Sequence, residues 1–202
     1  MIYFVRHGET VWNVENKICG ATDSPLTERG HRQAIETGEK IREKGIHADL
    51  ILYSPLSRAK DTAQHIAEIT GIPMKKEPRL FEQHFGKYES TPRNGEEFRE
   101  AKKQFLNRYE GGESMFQLAQ RVYNLLDELK ADGGDYILVA HNGIARVVQS
   151  YFYEMTNDEY AGFGIGNGEI RQYSFYESVL PMKYSKAIQL LLNVKYPIFD
   201  RM

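Results

Sequence analysis

Ile2-Tyr3-Phe4-Val5 runs straight into Arg6-His7, and two later apolar runs, Leu50-Ile51-Leu52-Tyr53 and Tyr136-Ile137-Leu138-Val139-Ala140, run into Ser54 and His141. None of the three alternates with polar residues, so each reads as a strand buried on both faces. Helical patterns lie between them. The clearest spans Ser114 to Lys130, with Met115, Leu118, Val122, Leu125, Leu126 and Leu129 on one face, and Ser114 with Gln117 forms a capping box at its start. Further helices are predicted from Thr27 to about Lys44, and from Ser54 as N-cap and Pro55 as first helical residue to about Thr70. Another follows Asn142, where Ile144, Val147, Val148, Tyr151 and Phe152 share a face. Strands alternating with helices predict a three-layer α/β/α sandwich around a mainly parallel sheet.

Residues 83–112 break this rhythm. They are polar, punctuated by Pro92, Gly95, Gly111 and Gly112, and helical only around Glu96 to Tyr109, which predicts a small helical lid inserted over one sheet edge. Ile170 to Tyr176 alternates and reads as a last strand, so residues 1–177 make one domain. The tail 178–202 carries Tyr184, Ile188, Leu191 and Leu192 at helical spacing, suited to docking on the core or on a second subunit in a homodimer.

The 202 residues, close to the ~150-residue domain prior, are 41% hydrophobic and 27% charged, a globular composition. Lys plus Arg number 26 against 28 Asp plus Glu, a net charge of −2, so no basic excess points to nucleic acid. The single cysteine, Cys19, makes neither an intramolecular disulfide nor a thiolate zinc cage, which suits a reducing compartment. No apolar run approaches the ~20 residues that span a bilayer, and Arg6 and His7 follow Met1 too closely for a signal-peptide core. The expectation is a cytoplasmic protein with no membrane partner.

In open parallel sheets ligands bind beyond the carboxyl ends of the strands, where loops lead into helix N-termini. His7 and His141 each directly follow a strand, which places two imidazoles at one sheet edge. Arg58 falls in the first turn of a predicted helix, where a cation opposes the macrodipole and something anionic should offset it. With Arg6 beside His7, two guanidiniums and two imidazoles make a site for a tetrahedral dianion, because Arg offers paired donors matched to phosphate oxygens. His31, His47 and His65, in helical or turn sequence, read as structural.

The run Arg6-His7-Gly8-Glu9-Thr10 with Trp12-Asn13 closely resembles the opening motif of the histidine phosphatase superfamily, the phosphoglycerate-mutase-like enzymes. Further resemblances follow in order: Gly20, Asp23-Ser24-Pro25-Leu26-Thr27 and Gly30; Ser54-Pro55-Leu56-Ser57-Arg58-Ala59; Leu80-Phe81-Glu82 with Gly86; Gly112-Glu113-Ser114; and His141. The resemblance covers roughly residues 1–176. It implies that His7 attacks phosphorus to give a phosphohistidine, that Arg6, Arg58 and His141 (as imidazolium) hold the phosphoryl oxygens with Asn13, and that no metal or other cofactor is needed. It also implies that Glu82 protonates the leaving oxygen and later activates water. The sequence departs from the family pattern after the second histidine, with Asn142-Gly143 where the family has Gly; Asn142 tolerates a left-handed backbone and joins the expected phosphate-binding set. It also has Tyr88-Glu89-Ser90 where many family phosphatases have an aromatic, an acid and Gly.

The 83–140 segment between Glu82 and His141 is shorter than the insertion with which the family's mutases enclose a bisphosphate, so the expected activity is hydrolysis of a small phosphorylated metabolite. Three alternatives stay open: a phosphoglycerate mutase, a non-catalytic phospholigand-binding module, and a metallohydrolase, for which the six histidines show no paired ligand spacing. Lys87, Arg93, Arg99, Lys102 and Lys103 lie in the lid region, where they read either as a solvated charged face or as partners for a second anionic group. His84 reads as exposed, and Cys19 as a small buried residue.

Overall fold

The computed structural model describes residues 1–175. The apolar runs form strands β1 (Ile2–Arg6), β2 (Leu50–Tyr53) and β4 (Tyr136–Ala140), joined by a short β3 (Met74–Lys76) and by β5 (Ile170–Tyr173). The sheet order is β3-β2-β4-β1-β5. The first four strands run parallel, and β5 lies antiparallel on β1 at the edge. Central β4 is buried at every residue.

Successive side chains of a strand point to opposite faces, and the two faces collect different helices. Val5, Ile51, Ile137 and Val139 meet Ile41 of α2 (Glu28–Glu43) and Ala59, Ala63 and Ile66 of α3 (Ser57–Thr70). Ile2, Phe4, Leu52 and Leu138 meet Leu118, Val122 and Leu126 of α5 (Met115–Asp132) and Val147 and Val148 of α6 (Asn142–Phe152). The three layers are therefore those predicted, with a mixed sheet between them. The helix starting after Thr27 uses its hydroxyl, which accepts the Gly30 amide at 3.0 Å. The Ser114–Gln117 capping box closes in both directions, at 3.0 and 3.2 Å.

Two boundaries differ from expectation. Helix α3 begins at Ser57, with Leu56 rather than Ser54 at its N-cap: the Ser57 amide goes to Asp23 Oδ2 at 2.8 Å, while the Ser54 hydroxyl meets His141 at 2.6 Å. In the lid, helix α4 covers only Glu96–Ala101. The chain leaves it so that Phe105 can pack edge-on against Tyr160 of α7 (Asn157–Gly162). The lid has its own small core, in which Phe98 and Phe85 are buried against Ile18 of the N-terminal loop, flanked by Tyr88 and Tyr109. Two backbone bonds tie that loop to the lid, Ile18 N–H to Thr91 at 2.9 Å and Ser90 N–H to Ile18 at 2.8 Å. A four-residue α1 (Val11–Val14) opens the loop. Tyr176 and the tail 178–202 lie outside the described residues, and among those described no helix is long and apolar enough to cross a membrane.

Candidate active site

Arg6 pairs with Ala140 across β1 and β4, so the next residue of each strand, His7 and His141, leaves the sheet side by side. The His7 amide donates to the Ala140 carbonyl at 3.0 Å, and the two ring centroids are 5.1 Å apart. His7 Nδ1 lies 2.7 Å from the Gly8 carbonyl. A carbonyl only accepts, so Nδ1 carries the proton and Nε2 keeps its lone pair. Burial, Arg58 and Arg6 push the ring's pKa well below 6.5, and at neutral pH it is uncharged.

Gly8 holds this loop against two helices. Its amide donates to Thr62 Oγ1 at 3.1 Å, and that hydroxyl donates to the Arg58 carbonyl at 2.7 Å. A Cβ on Gly8 would run into the backbone of Gly30, and one on Gly30 into the backbone of Glu9. Both positions therefore demand glycine for close approach rather than for a special dihedral.

Arg58 is 1% exposed and anchored along its whole guanidinium. Nη2 donates to Gly20 O at 2.8 Å, Nη1 to Thr22 O at 3.0 Å and to Asp23 Oδ1 at 3.3 Å, and Nε to His141 Nδ1 at 3.3 Å. The anion that offsets a cation at a helix start is Asp23, whose other oxygen accepts the Ser57 amide at 2.8 Å. Burial lowers the Arg58 pKa. Arg6 is likewise lowered, to about 10, by burial and by the nearby Arg93, and stays cationic. Its Nη1 donates to Ile165 O at 2.6 Å, while its Nε is buried without a hydrogen-bond partner among the described residues.

The contacts of His141 are those of a neutral ring. Its Nδ1 faces a donor, Arg58 Nε–H, and so must accept. The proton then sits on Nε2 and points to Ser54 Oγ at 2.6 Å. Burial and the charges of Arg58 and Arg6 drive its pKa well below 6.5 as well. In this arrangement His141 is a neutral ring behind Arg58 that orients the guanidinium, and it does not line the cavity.

Glu82 follows a single 3-10 turn (Pro78–Leu80) and is 7% exposed. Its carboxylate accepts the Gln83 amide at 2.8 Å and the Gly143 amide at 3.1 Å. A Cβ on Gly143 would collide with that carboxylate, so the glycine lets the acid lie against the start of α6. Asn142 is the first residue of α6 and is helical, not left-handed. Its Oδ1 accepts the Ile165 amide at 3.0 Å, which leaves its NH2 for the cavity. Asn13 is arranged the same way, its Oδ1 accepting from Thr10 N at 3.2 Å and from Asn167 Nδ2 at 3.1 Å. Asn167 also donates to the His7 carbonyl at 2.9 Å.

These groups surround a cavity of about 150 Å³, lined by Arg6, His7, Asn13, Arg58, Glu82 and Asn142 on one side. Cys19 lies in its wall, buried and 3.9 Å from Thr10 Oγ1. Of the lid cations, Arg93 and Lys102 reach the cavity, joined by Arg146 of α6. Lys87 is paired with Glu97 at 2.9 Å and Lys103 with Glu100 at 2.7 Å. His84 is about half exposed and accepts the Gly86 amide at 3.0 Å. His31 and His65 bond to each other at 3.0 Å between α2 and α3. Among the described residues no cluster of three or more His, Cys, Asp or Glu could hold a metal ion.

Comparisons with known proteins agree with this geometry. The histidine phosphatase superfamily (branch 1) matches residues 2–184. A Yersinia pestis (strain Pestoides F) protein named "Probable phosphoglycerate mutase GpmB" is 40% identical over 152 residues, 71% of this chain and 70% of that one. A mycobacterial glucosyl-3-phosphoglycerate phosphatase in complex with VO3 superimposes with a TM-score of 0.74 at 28% identity, over 84% of this chain and 88% of that one. The alpha-ribazole phosphatase of Shigella flexneri gives 0.69 at 25% identity, over 84% and 87%. A strand-end histidine with a free Nε2, one buried and one half-buried arginine and an acid held at the next helix thus belong to a chain that is a member of the histidine phosphatase superfamily.

Proposed function

We propose that the protein is a metal-independent phosphatase of small phosphate monoesters that works through a phosphohistidine on His7. The observation that carries this reading is the His7 ring, neutral, pinned by Nδ1–H to the Gly8 carbonyl at 2.7 Å, in a wall that also contains Arg6 and Arg58. Nε2 attacks phosphorus in line with the ester oxygen. The P–O bond breaks as the P–N bond forms, and protonated Glu82 gives its proton to the leaving alcohol. The phosphorylated ring is now cationic, and its Nδ1–H still points at the Gly8 carbonyl, which stabilises that charge. Glu82, left as carboxylate, takes a proton from the attacking water, the P–N bond breaks, and inorganic phosphate leaves with His7 neutral again.

Arg6 and Arg58 stabilise the equatorial oxygens with charge held in place before substrate arrives, the task a metal would otherwise perform. Asn13 and Asn142 add neutral donors. His141 serves through Arg58. Hydrolysis is favoured over phosphoryl return by the size of the lid, a six-residue α4 and its flanking turns, and the cavity volume favours a small substrate. The phosphatase names of the two solved relatives point the same way, and the mutase name of the Yersinia relative marks the competing activity. The deciding experiment is release of inorganic phosphate from 4-nitrophenyl phosphate in excess chelator, with and without His7→Ala. Turnover that vanishes in the variant supports the proposal. Negligible hydrolysis with rapid interconversion of 2- and 3-phosphoglycerate would replace it by a mutase.

A further inference from the structure

Among the described residues, five cationic side chains line the cavity, Arg6, Arg58, Arg93, Lys102 and Arg146, against one carboxylate, Glu82. A phosphomonoester dianion beside Arg6 and Arg58 leaves the other three without a counter-charge. These three are built in rather than loosely exposed. Arg93 Nε is fixed on the Lys17 carbonyl at 2.8 Å and Arg146 Nε on the Phe163 carbonyl at 2.8 Å, so each guanidinium is anchored by one edge. Neither has an acidic partner within salt-bridge distance among the described residues. Lys102 has none either; its ammonium lies 5.3 Å from the Phe98 ring centroid, and burial together with Arg146 and Arg99 lowers its pKa. Like charges held together at a half-buried wall are unfavourable unless an anion joins them. Lys87 and Lys103, on the same lid, are neutralised by glutamates, so the lid has acids to spare and places none here.

We infer that Arg93, Lys102 and Arg146 form a subsite for a second oxyanion on the substrate, with Phe85, Phe98 and Ile18 as the apolar wall beside it. The substrate class is then a small phosphomonoester that carries a carboxylate or a second phosphoryl group. Arg93 and Arg146, anchored through Nε, present their terminal nitrogens in the forked geometry that matches two oxygens of such a group. Lys102 adds a point charge from the lid. The inference rests on the phosphatase reading and deepens it.

The test is kcat/KM, measured as phosphate release, for phenyl phosphates substituted at the meta or para position with carboxylate or phosphonomethyl, each against its uncharged carbamoyl counterpart. At least one anionic ester should exceed the carbamoyl ester by roughly tenfold or more, as one charge-assisted contact gives. That advantage should shrink to within about threefold in Lys102→Gln or Arg93→Gln. Of the two anionic arms, the preferred one identifies the group. If the carbamoyl esters are hydrolysed as well as all the anionic ones, the subsite is overturned while the phosphatase reading stands. If the preference survives both substitutions unchanged, its assignment to these residues is wrong. If no ester is turned over and His7 acquires no phosphate, the phosphatase reading itself fails.

Discussion

Gly143→Ala separates the proposed role of Glu82 from that proposed for Arg6 and Arg58. Gly143 is the second residue of α6, where alanine is favoured over glycine by about 0.8–1 kcal/mol of intrinsic helix propensity. The new Cβ, however, meets the Glu82 carboxylate, which must move away and lose its bond to the Gly143 amide, now 3.1 Å. A hydrogen bond to a charged group contributes about 1.5–3 kcal/mol. The two effects oppose, and net stability should fall by no more than about 2 kcal/mol. Activity has no such compensation, since a displacement on the order of 1 Å at a reacting group reduces rate by about 100-fold. The loss should depend on the leaving group. In the proposed two-step mechanism kcat/KM reports only phosphorylation of His7, the step for which Glu82 is proposed to protonate the departing oxygen. An alkyl phosphate needs that proton far more than 4-nitrophenyl phosphate does. We therefore expect kcat/KM to fall about 100-fold for glycerol 3-phosphate and about tenfold or less for the nitrophenyl ester, with urea unfolding to confirm a folded enzyme. Equal losses on both esters, or none, would refute the assignment of the leaving-group proton to Glu82.

Three further outcomes follow from particular contacts. His7 and His141 are both held well below pH 6.5, so the unfolded chain binds more protons than the native one just below that pH. Their contribution to stability is complete above 6.5 and is lost as pH falls, at about 1.4 kcal/mol per pH unit for each ring; urea unfolding from pH 7 to 5 should show His7→Asn losing one proton's worth of that slope. Glu89 accepts the amides of Ala21, Thr22 and Phe85 at 2.8–2.9 Å and thereby fixes the turn whose Gly20 and Thr22 carbonyls hold Arg58. Glu89→Gln, which points donors at donors, should destabilise by roughly 2–4 kcal/mol and raise KM for any phosphate ester, checked by unfolding and steady-state kinetics. Ser90 has φ +69°, a left-handed conformation that disfavours a side chain by about 1–2 kcal/mol, so Ser90→Gly should raise Tm by a few degrees in a scanning calorimeter.

The layers of the fold were legible because they rest on local patterns. Three unbroken apolar runs, a capping box and a helical apolar face are properties of neighbouring residues, and the structure uses all of them. Met74–Lys76 was not legible as a strand, since an edge strand of three residues with two exposed lysines carries no periodicity. Ser54 illustrates the opposite failure. Its sequence is a sound N-cap signal, yet its hydroxyl is claimed by a residue 87 positions away, and long-range contacts leave no local trace. The same holds for the contact of His141 Nδ1 with Arg58 Nε–H, and for Asn167, which reaches back to residues 7 and 13. Asp23 lay within a quoted motif and was recoverable by asking which acid offsets a cation at the start of α3. Arg146 was recoverable too, four residues after Asn142 on the same face of a helix.

The central claim is that one ring nitrogen, His7 Nε2, carries the phosphoryl group between substrate and water. Rapid mixing with an excess of substrate, an alkaline quench that preserves phosphohistidine, and peptide mapping by mass spectrometry test it most directly. A phosphate on the His7 peptide that forms within one turnover, decays as substrate is exhausted and is absent from His7→Ala is the predicted result. Full turnover by the wild-type enzyme with no phosphate on that peptide, or turnover that survives the loss of the imidazole, would contradict it.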